Sequence, residues 1–238
     1  MANQQYLALL KSGVATWNQH WQEQHPETQI DLTGANLSGM DLSGINLRQV
    51  DLKGAYLIET NLSGAFLNEA NLSDAFLKAA NLTGAYLNQV NLSAASLNRA
   101  TLRMATLRQA NFSNAYVKNA DLSKANLKEA CLSGADFGGA NLSKAYLRKA
   151  DLSHARFKGA NFGQADLSHI NARGTNFTGV NLTGACLEGW KIDGTARFEW
   201  TVCDYVCLNR RERTRYPYKE NFKPGEFARM LIETRIAS

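Results

Sequence analysis

The sequence has few of the residues that build most catalytic, metal-binding or disulfide-bonded sites. Its 238 residues include four histidines, four cysteines and three prolines. The histidines are scattered, and no spacing among them resembles a metal cluster or a catalytic triad. The cysteines follow no disulfide framework, so we expect reduced thiols. Cys203 and Cys207 lack a matching histidine pair and are a weak zinc candidate. We therefore expect a protein that is not an enzyme and has no cofactor or metal.

Long apolar runs are also missing. No stretch reaches the eighteen apolar residues that a membrane-spanning helix needs. The first five residues show no basic segment followed by an apolar one, as a secretory signal would. We expect a cytoplasmic protein without a membrane span.

What the sequence has in abundance is a five-residue repeat that runs without a break from Ile30 to Gly194. The central residue of each unit falls at positions ending in 2 or 7, which gives 33 units between Leu32 and Ile192. All centres are Leu, Phe, Val or Ile except Ala172. Two residues before the centre most units have Ala, and polar, charged or aromatic residues fill the other positions. This single pattern organises about two thirds of the chain.

The repeat predicts a coiled chain rather than a helix or a continuous strand, because five matches neither 3.6 nor 2. Within a unit the Ala and the centre are two residues apart, so they point to the same side of a short extended segment. That side stays inward only if the chain turns a corner in every unit, and repeated corners produce a solenoid of stacked coils. Larger residues replace the Ala in several units, and among them Val50, Val90, Ile170 and Trp190 should widen a coil or lie near an end.

The A-(N/D)-L-x-x tract resembles the pentapeptide-repeat family over 165 of the 238 residues. The resemblance implies an all-β solenoid, a right-handed quadrilateral β-helix with four units per coil and about eight coils. It also implies a possible role as a DNA mimic, because family members that protect DNA gyrase do so with strongly acidic rods. The net charge of +5 opposes that role here.

Residues 1–29 are expected to form an N-terminal cap. One amphipathic helix is predicted over residues 3–22, and Pro26 should end any helix before the first coil. A terminal coil exposes backbone groups that invite end-to-end growth, and a helix laid across it would hide them. The apolar stripe of this predicted helix consists of Tyr6, Leu10, Val14, Trp17 and Trp21.

The far end of the solenoid is expected to be irregular. After Gly194 the register slips, because Phe198 rather than residue 197 is the next bulky centre. We therefore predict a solenoid over 30–208, in which 195–208 form an irregular last coil.

Residues 209–238 are expected to form a C-terminal cap. A short helix should open near Pro224 and carry Phe227, Met230, Leu231 and Ile236. The segment 209–215 contains four arginines, which could instead serve a dimer contact or an acidic partner.

Outward positions carry aromatic and basic residues that predict interaction surfaces. Positions twenty apart should lie on one face, and positions ten apart on opposite faces. Stacked like charges repel, and Glu129 and Gln109 should relieve part of this. The plainer alternatives are rings that shield backbone and charges that are simply solvated. The aromatic sets are Tyr56, Phe76 and Tyr116 on one face and Phe66, Tyr86 and Tyr146 on the opposite face. The basic sets are Arg108, Lys128 and Arg148 with Lys149 beside them, and Lys78, Lys118 and Lys158 on the opposite face.

The function that these features favour is a non-enzymatic structural or scaffolding role, with an unidentified protein partner bound on the outer faces. One alternative is a DNA-mimic regulator of an enzyme such as gyrase, which the positive charge disfavours. Another is an anionic partner, nucleic acid or a membrane surface, bound by the basic faces. Nucleic acid is the less expected partner because the charge is modest and interspersed with Asn, Gly and Ser. We expect a monomer, or a homodimer joined through a terminal cap.

Overall fold

The computed structural model describes residues 3–23, 30–209, 214–223 and 225–233. Between the N-terminal helices and the last coil the chain winds in coils that are joined by parallel β-bridges. None of the helices within these ranges is both long and apolar enough to cross a membrane. In chain order the helices and strands are α1 (Gln4–Lys11), α2 (Val14–Glu23), β1 (Val206–Cys207), β2 (Arg215–Tyr216) and α3 (Glu226–Glu233).

Each coil takes four units and therefore has four faces. The bridges join outward residues twenty positions apart, as in Asp31 with Asp51, and each ladder of bridged residues has nine members. The solenoid thus has nine coils. The sequence predicted about eight from the regular units, and the irregular units after Gly194 complete the ninth. We name the faces by the ends of their ladders: face 1 (Asp31 to Lys191), face 2 (Asn36 to Arg197), face 3 (Asp41 to Val202) and face 4 (Asn46 to Cys207).

Every corner is a tight turn. In the first unit the Ala35 amide donates to the Leu32 carbonyl at 3.0 Å, and Gly34 has a φ of 67°. A positive φ at the third turn position is typical of a type II turn. The same position has a positive φ in all 32 units from Gly34 to Gly189, and in 19 of them the residue is not glycine. The stacking of the coils therefore imposes a left-handed backbone conformation even on residues other than glycine, which do not favour it.

The Asn and Asp side chains that precede the centres accept hydrogen bonds from backbone amides at the corners. Asp31 Oδ1 accepts from the Thr33 amide at 2.8 Å, and Asn91 Oδ1 accepts from the Ser93 amide at 3.1 Å. On faces 1 and 3 these side chains also bond from coil to coil. The Asn91 side-chain amide, for example, donates to Asn71 Oδ1 at 3.2 Å. The Asn and Asp side chains at this position thus stabilise both the corner and the stacking of coils.

The inward positions form one continuous core. The centres from Leu32 to Leu187 are fully or almost fully buried, as the repeat predicts. Val50, Val90, Ile170 and Trp190, which replace Ala, are buried too. The Trp190 ring lies in the ninth coil, near the end as expected, and stacks on Phe177 with centroids 5.4 Å apart. Ala172, the one small centre, belongs to face 1 of the coil before and is buried as well.

The N-terminal segment forms two helices, so the prediction of one helix over 3–22 is wrong. Gly13 has a φ of 116°, a conformation that favours glycine, and the chain changes direction there. All five residues of the predicted stripe are nevertheless buried or packed against the core. Pro26 lies outside the described residues.

These helices contact the open edge of the first coil. The Asn3 amide donates to the Asp31 carbonyl at 3.0 Å, and Trp17 Nε1 donates to the Asn46 carbonyl at 2.6 Å. The Asn46 amide in turn donates to Asn18 Oδ1 at 2.8 Å. Backbone groups that no earlier coil can reach are thereby satisfied.

The last coil follows the predicted slip. Its bridges join residues 21 positions apart, from Asn176 with Arg197 to Cys186 with Cys207, so one extra residue enters the coil after Lys191. Strand β1 belongs to face 4 of this coil and pairs antiparallel with β2.

Helix α3 packs against the end of the core. Phe227, Met230 and Leu231 are buried, and the Phe227 ring meets Phe198 with centroids 6.3 Å apart. Residues 210–213, which hold most of the arginine-rich segment, lie outside the described residues, as do Pro224 and Ile236.

Candidate interaction surfaces

Two aromatic pairs stack on opposite faces. Tyr56 and Phe76 on face 2 have ring centroids 4.9 Å apart, and Phe66 and Tyr86 on face 4 have them 5.0 Å apart. Both distances match the spacing of neighbouring strands, so the ladder itself brings the rings together. Arg48 lies 4.4 Å above the Phe66 ring and covers its other side. The predicted placement on opposite faces is confirmed, and stacking partly shields these four rings.

Tyr116 and Tyr146 lie apart from these pairs. Tyr116 on face 2 sits between Ser96 and Asp136 in its ladder, and Tyr146 on face 4 sits between polar neighbours too. The two side chains are 54% and 53% exposed, more than the paired rings. They are the predicted aromatic residues with most ring surface left for a partner.

The basic row of face 2 is sparse. Lys78, Lys118 and Lys158 are each two coils apart, and Lys118 Nζ lies 3.1 Å from the Asp136 carboxylate, which is mostly buried. This ion pair removes the central charge of the row. Lys78 and Lys158 are in none of the ion pairs found among the described residues, so the predicted basic positions of face 2 keep two positive charges that lie four coils apart.

The basic row of face 4 is dense, because Arg108, Lys128 and Arg148 lie in three successive coils. Lys128 Nζ is 3.3 Å from the Glu129 carboxylate, and Gln109 Nε2 donates to the same carboxylate at 3.2 Å. These contacts lower the pKa of Glu129, the hydrogen bond from Lys128 being the largest cause. The relief by Glu129 and Gln109 that the sequence suggested is therefore present, but it reaches one cation of the row.

Two further lysines, which the sequence analysis missed, lie along the other edge of face 4. Lys124 and Lys144 occupy the corner that face 3 shares with face 4, in successive coils. They lie two positions before the outward residues of face 4, and that spacing could have revealed them. We call the whole set the basic face: Arg108, Lys124, Lys128, Lys144, Arg148 and Lys149.

Most charges of the basic face are unpaired. Across the described residues, ion pairs within 4 Å include Lys128 of this set and none of the other five. Arg148 is half-buried, and its Nε is buried without an acceptor. Tyr146 lies between the two basic edges. The arrangement is a flat, positively charged surface with an exposed phenol near its centre.

A cavity of about 550 Å³ adjoins this face where the last coils meet the β1–β2 hairpin. The Arg215 guanidinium forms one wall, 4.6 Å above the Tyr205 ring. Cys203 points into the core whereas Cys207 lies on face 4, so the two do not converge as zinc ligands. The described ranges hold no group of three or more His, Cys, Asp or Glu placed to bind a metal. The cavity is lined by Tyr146, Asp166, Cys186, Tyr205, Cys207 and Arg215, among others.

The chain resembles known repeat proteins in sequence and in structure. The family model for pentapeptide repeats matches in eight copies, over 30–68, 51–89, 77–114, 120–159 and 155–189. HetL, a pentapeptide repeat protein involved in heterocyst differentiation regulation from the cyanobacterium Nostoc sp. strain PCC 7120, is 31% identical. The match covers 82% of this chain and 97% of HetL, with a TM-score of 0.58.

QnrB1, a plasmid-mediated fluoroquinolone resistance protein, is 17% identical over 71% of this chain and 91% of its own, with a TM-score of 0.52. At that identity the likeness shows the fold alone. No curated protein matches the chain. The repeats and these structures together identify the solenoid as a right-handed β-helix. The chain therefore belongs to the pentapeptide-repeat family.

Proposed function

We propose that this protein is a non-catalytic scaffold that binds an acidic protein partner through the basic face. The observation that carries the proposal is the set of five cations, on two edges of one surface, that have no ion pair within the described part of the chain. HetL is described as involved in the regulation of differentiation. A regulatory task carried out by binding is therefore part of the proposal.

Like charges one coil apart repel one another, since neighbouring strands are about 4.8 Å apart. A partner with complementary carboxylates relieves this repulsion and gains orientation and a fast association rate. Tyr146 contributes an aromatic ring that ends in a polar hydroxyl group. Tyrosine is enriched at the centres of protein interfaces. Charge and aromatic surface together fit a protein partner better than either would alone.

A non-catalytic role is supported by the packing of the solenoid. The inward positions are filled from the first coil to the ninth, which leaves no internal space for a substrate. The external cavity beside the hairpin is lined by Asp166, Cys186, Tyr205 and Cys207, among others. This packing favours binding by the outer surface.

The DNA-mimic alternative has the wrong charge. Such a mimic needs acidic rows along the rod, whereas face 4 carries basic rows and the whole chain has a net charge of +5. Nucleic acid or an anionic membrane bound by the basic face is distinguished from a protein partner by the experiment below.

The test is affinity capture from the native cell extract at low and moderate salt. A basic-face variant carries Arg108→Glu, Lys144→Glu and Lys149→Glu, all at exposed positions. A matched control carries Lys78→Glu, Lys118→Glu and Lys158→Glu on face 2, so both variants change the net charge equally.

We expect one acidic protein to be retained by the parent and the control and lost by the basic-face variant. Equal capture by the two variants would show that the basic face is only solvated. A retained species that is sensitive to nuclease, with binding that collapses steeply with salt, would point to nucleic acid instead.

A further inference from the structure

Cys186 and Cys207 are direct neighbours on face 4. They are bridged partners in the eighth and ninth coils. Two backbone hydrogen bonds fix the register, from the Leu187 amide to the Cys207 carbonyl and from the Cys207 amide to the Ala185 carbonyl, both 2.8 Å. Neighbouring strands lie about 4.8 Å apart, inside the Cα range of about 4.4–6.8 Å that disulfides span. The backbone therefore already holds both cysteines at bonding range.

We propose that Cys186 and Cys207 are an oxidation site that closes to a disulfide in the presence of a hydroperoxide and fastens the last coil to the solenoid. The proposal is independent of the acidic partner. All four cysteines lie within the described residues, and they are free thiols. Cys131 lies on face 1 between Asn111 and Asp151, and Cys203 points into the core. The other two cysteines thus lack an in-register thiol.

An oxidant can reach the pair from the cavity, which both side chains line. Cys207 is the more exposed of the two, whereas Cys186 is 7% exposed. Burial raises the pKa of Cys186 to about 12, and the nearby Cys207 and Asp166 act in the same direction. Since the thiolate is the nucleophile, Cys207 is the thiol that attacks first and Cys186 the one that resolves.

The reaction balances with hydrogen peroxide as the oxidant. The Cys207 sulfur takes one oxygen, the O–O bond breaks, the other oxygen leaves as water, and Cys207 becomes a sulfenic acid. The Cys186 sulfur then attacks the Cys207 sulfur. The S–O bond breaks, and the hydroxyl leaves with the Cys186 proton as a second water. Proximity offsets the weak nucleophilicity of Cys186. Cys207 Sγ gives up its hydrogen bond to the Asn209 carbonyl.

The consequence follows from the position of the pair. The ninth coil has a neighbouring coil on one side only, and it contains an extra residue after Lys191. A disulfide between them closes a loop across this irregular connection and restricts the unfolded chain. It also fixes β1, and through it the β1–β2 hairpin and the walls of the cavity.

The first measurement is peptide mapping of the full chain, reduced and then treated with hydrogen peroxide, under non-reducing conditions. The variants are Cys207→Ser and, as the matched control, Cys131→Ser. We expect a Cys186–Cys207 cross-link in the parent and in the control, and none in Cys207→Ser. Oxidation of Cys207 to a sulfinic acid without a cross-link, or a cross-link to Cys131 or Cys203, would overturn the proposal.

The second measurement is thermal unfolding before and after peroxide treatment. The oxidised parent should melt about 5 °C or more above the reduced form, the shift should reverse with a thiol reductant, and Cys207→Ser should show no shift. An unchanged melting temperature in the cross-linked parent would refute the fastening of the last coil. If Cys207→Ser does not fold, Cys186→Asn replaces it, because Asn126 occupies the same position of face 4.

Discussion

The rings of Tyr56 and Phe76 lie face to face, with their planes 9° from parallel and their centroids 4.9 Å apart. They belong to successive coils, so the backbone ladder sets their distance. Tyr116 occupies the same position of face 2 two coils further on, between Ser96 and Asp136. Face 2 thus holds one stacked ring, Phe76, and one unstacked ring, Tyr116, at the same position of its ladder.

We expect Phe76→Ser to lower the free energy of unfolding more than Tyr116→Ser does. The stack should contribute about 0.5–1.5 kcal/mol beyond the apolar area that each ring covers. Serine is chosen because the ladder already accepts it at Ser96. Urea unfolding of both variants against the parent gives the difference. Equal losses would mean that the stacking adds nothing measurable.

The stacking of these rings could be predicted because the repeat is strictly periodic. Leu52, Leu72 and Leu92 are twenty positions apart, and a periodic chain that buries each of them must place its outward residues in ladders as well. The same periodicity gave the faces of the aromatic and basic residues. Local and tertiary structure coincide in a solenoid, which makes the sequence unusually informative.

Sequence periodicity does not predict the structure where the period is broken. Cys186 and Cys207 are 21 positions apart, so a strict period of twenty does not pair them. The extra residue after Lys191 brings them into register, although the shift at Phe198 was visible in the sequence. The break at Gly13 was missed because an apolar stripe continues through it. Stripe spacing cannot show the direction of the chain on either side of a glycine.

The inward assignment is tested by Leu92→Asp. A carboxylate between the buried side chains of Leu72 and Phe112 would have no partner, and we expect the free energy of unfolding to fall by about 4 kcal/mol or more. Leu92→Met keeps the volume and the apolar character, so it should cost less than about 1.5 kcal/mol. Thermal and urea unfolding measure both. Similar losses for the two variants would contradict the role of Leu92 in the core.

The left-handed corners predict a stabilising glycine. Ala94 has a φ of 56°, and this conformation costs an L-residue about 1–2 kcal/mol. Glycine adopts it freely but loses about 0.5–1 kcal/mol to backbone entropy, so Ala94→Gly should raise the free energy of unfolding by about 0.5–1 kcal/mol. Ala95→Gly, one residue on, removes a buried methyl group and should lower it by about 1 kcal/mol or more. A loss of stability in both variants would show that the corner is not strained.

Acid should destabilise the first coil through Asp41. The backbone hydrogen bond from Ser43 is the main cause that lowers the pKa of the Asp41 carboxyl below its ordinary value. A carboxyl whose pKa is lower in the folded state binds protons more readily in the unfolded state. The contribution of Asp41 to the free energy of unfolding is therefore complete above the ordinary pKa. It is lost as the pH falls through the pKa of the folded state.

Asp41→Asn separates this effect from general acid denaturation. Asn36 makes the same bond to the Ser38 amide at 3.2 Å, so the variant should keep the corner and its contact with Asn61. The melting temperature of the parent should therefore fall more steeply than that of Asp41→Asn below about pH 4, while the two profiles run parallel near neutrality. Profiles that stay parallel down to pH 3 would mean that the Asp41 carboxylate does not support the folded state. The comparison isolates one charge, because the side chain keeps its shape and the acceptor oxygen that both neighbours use.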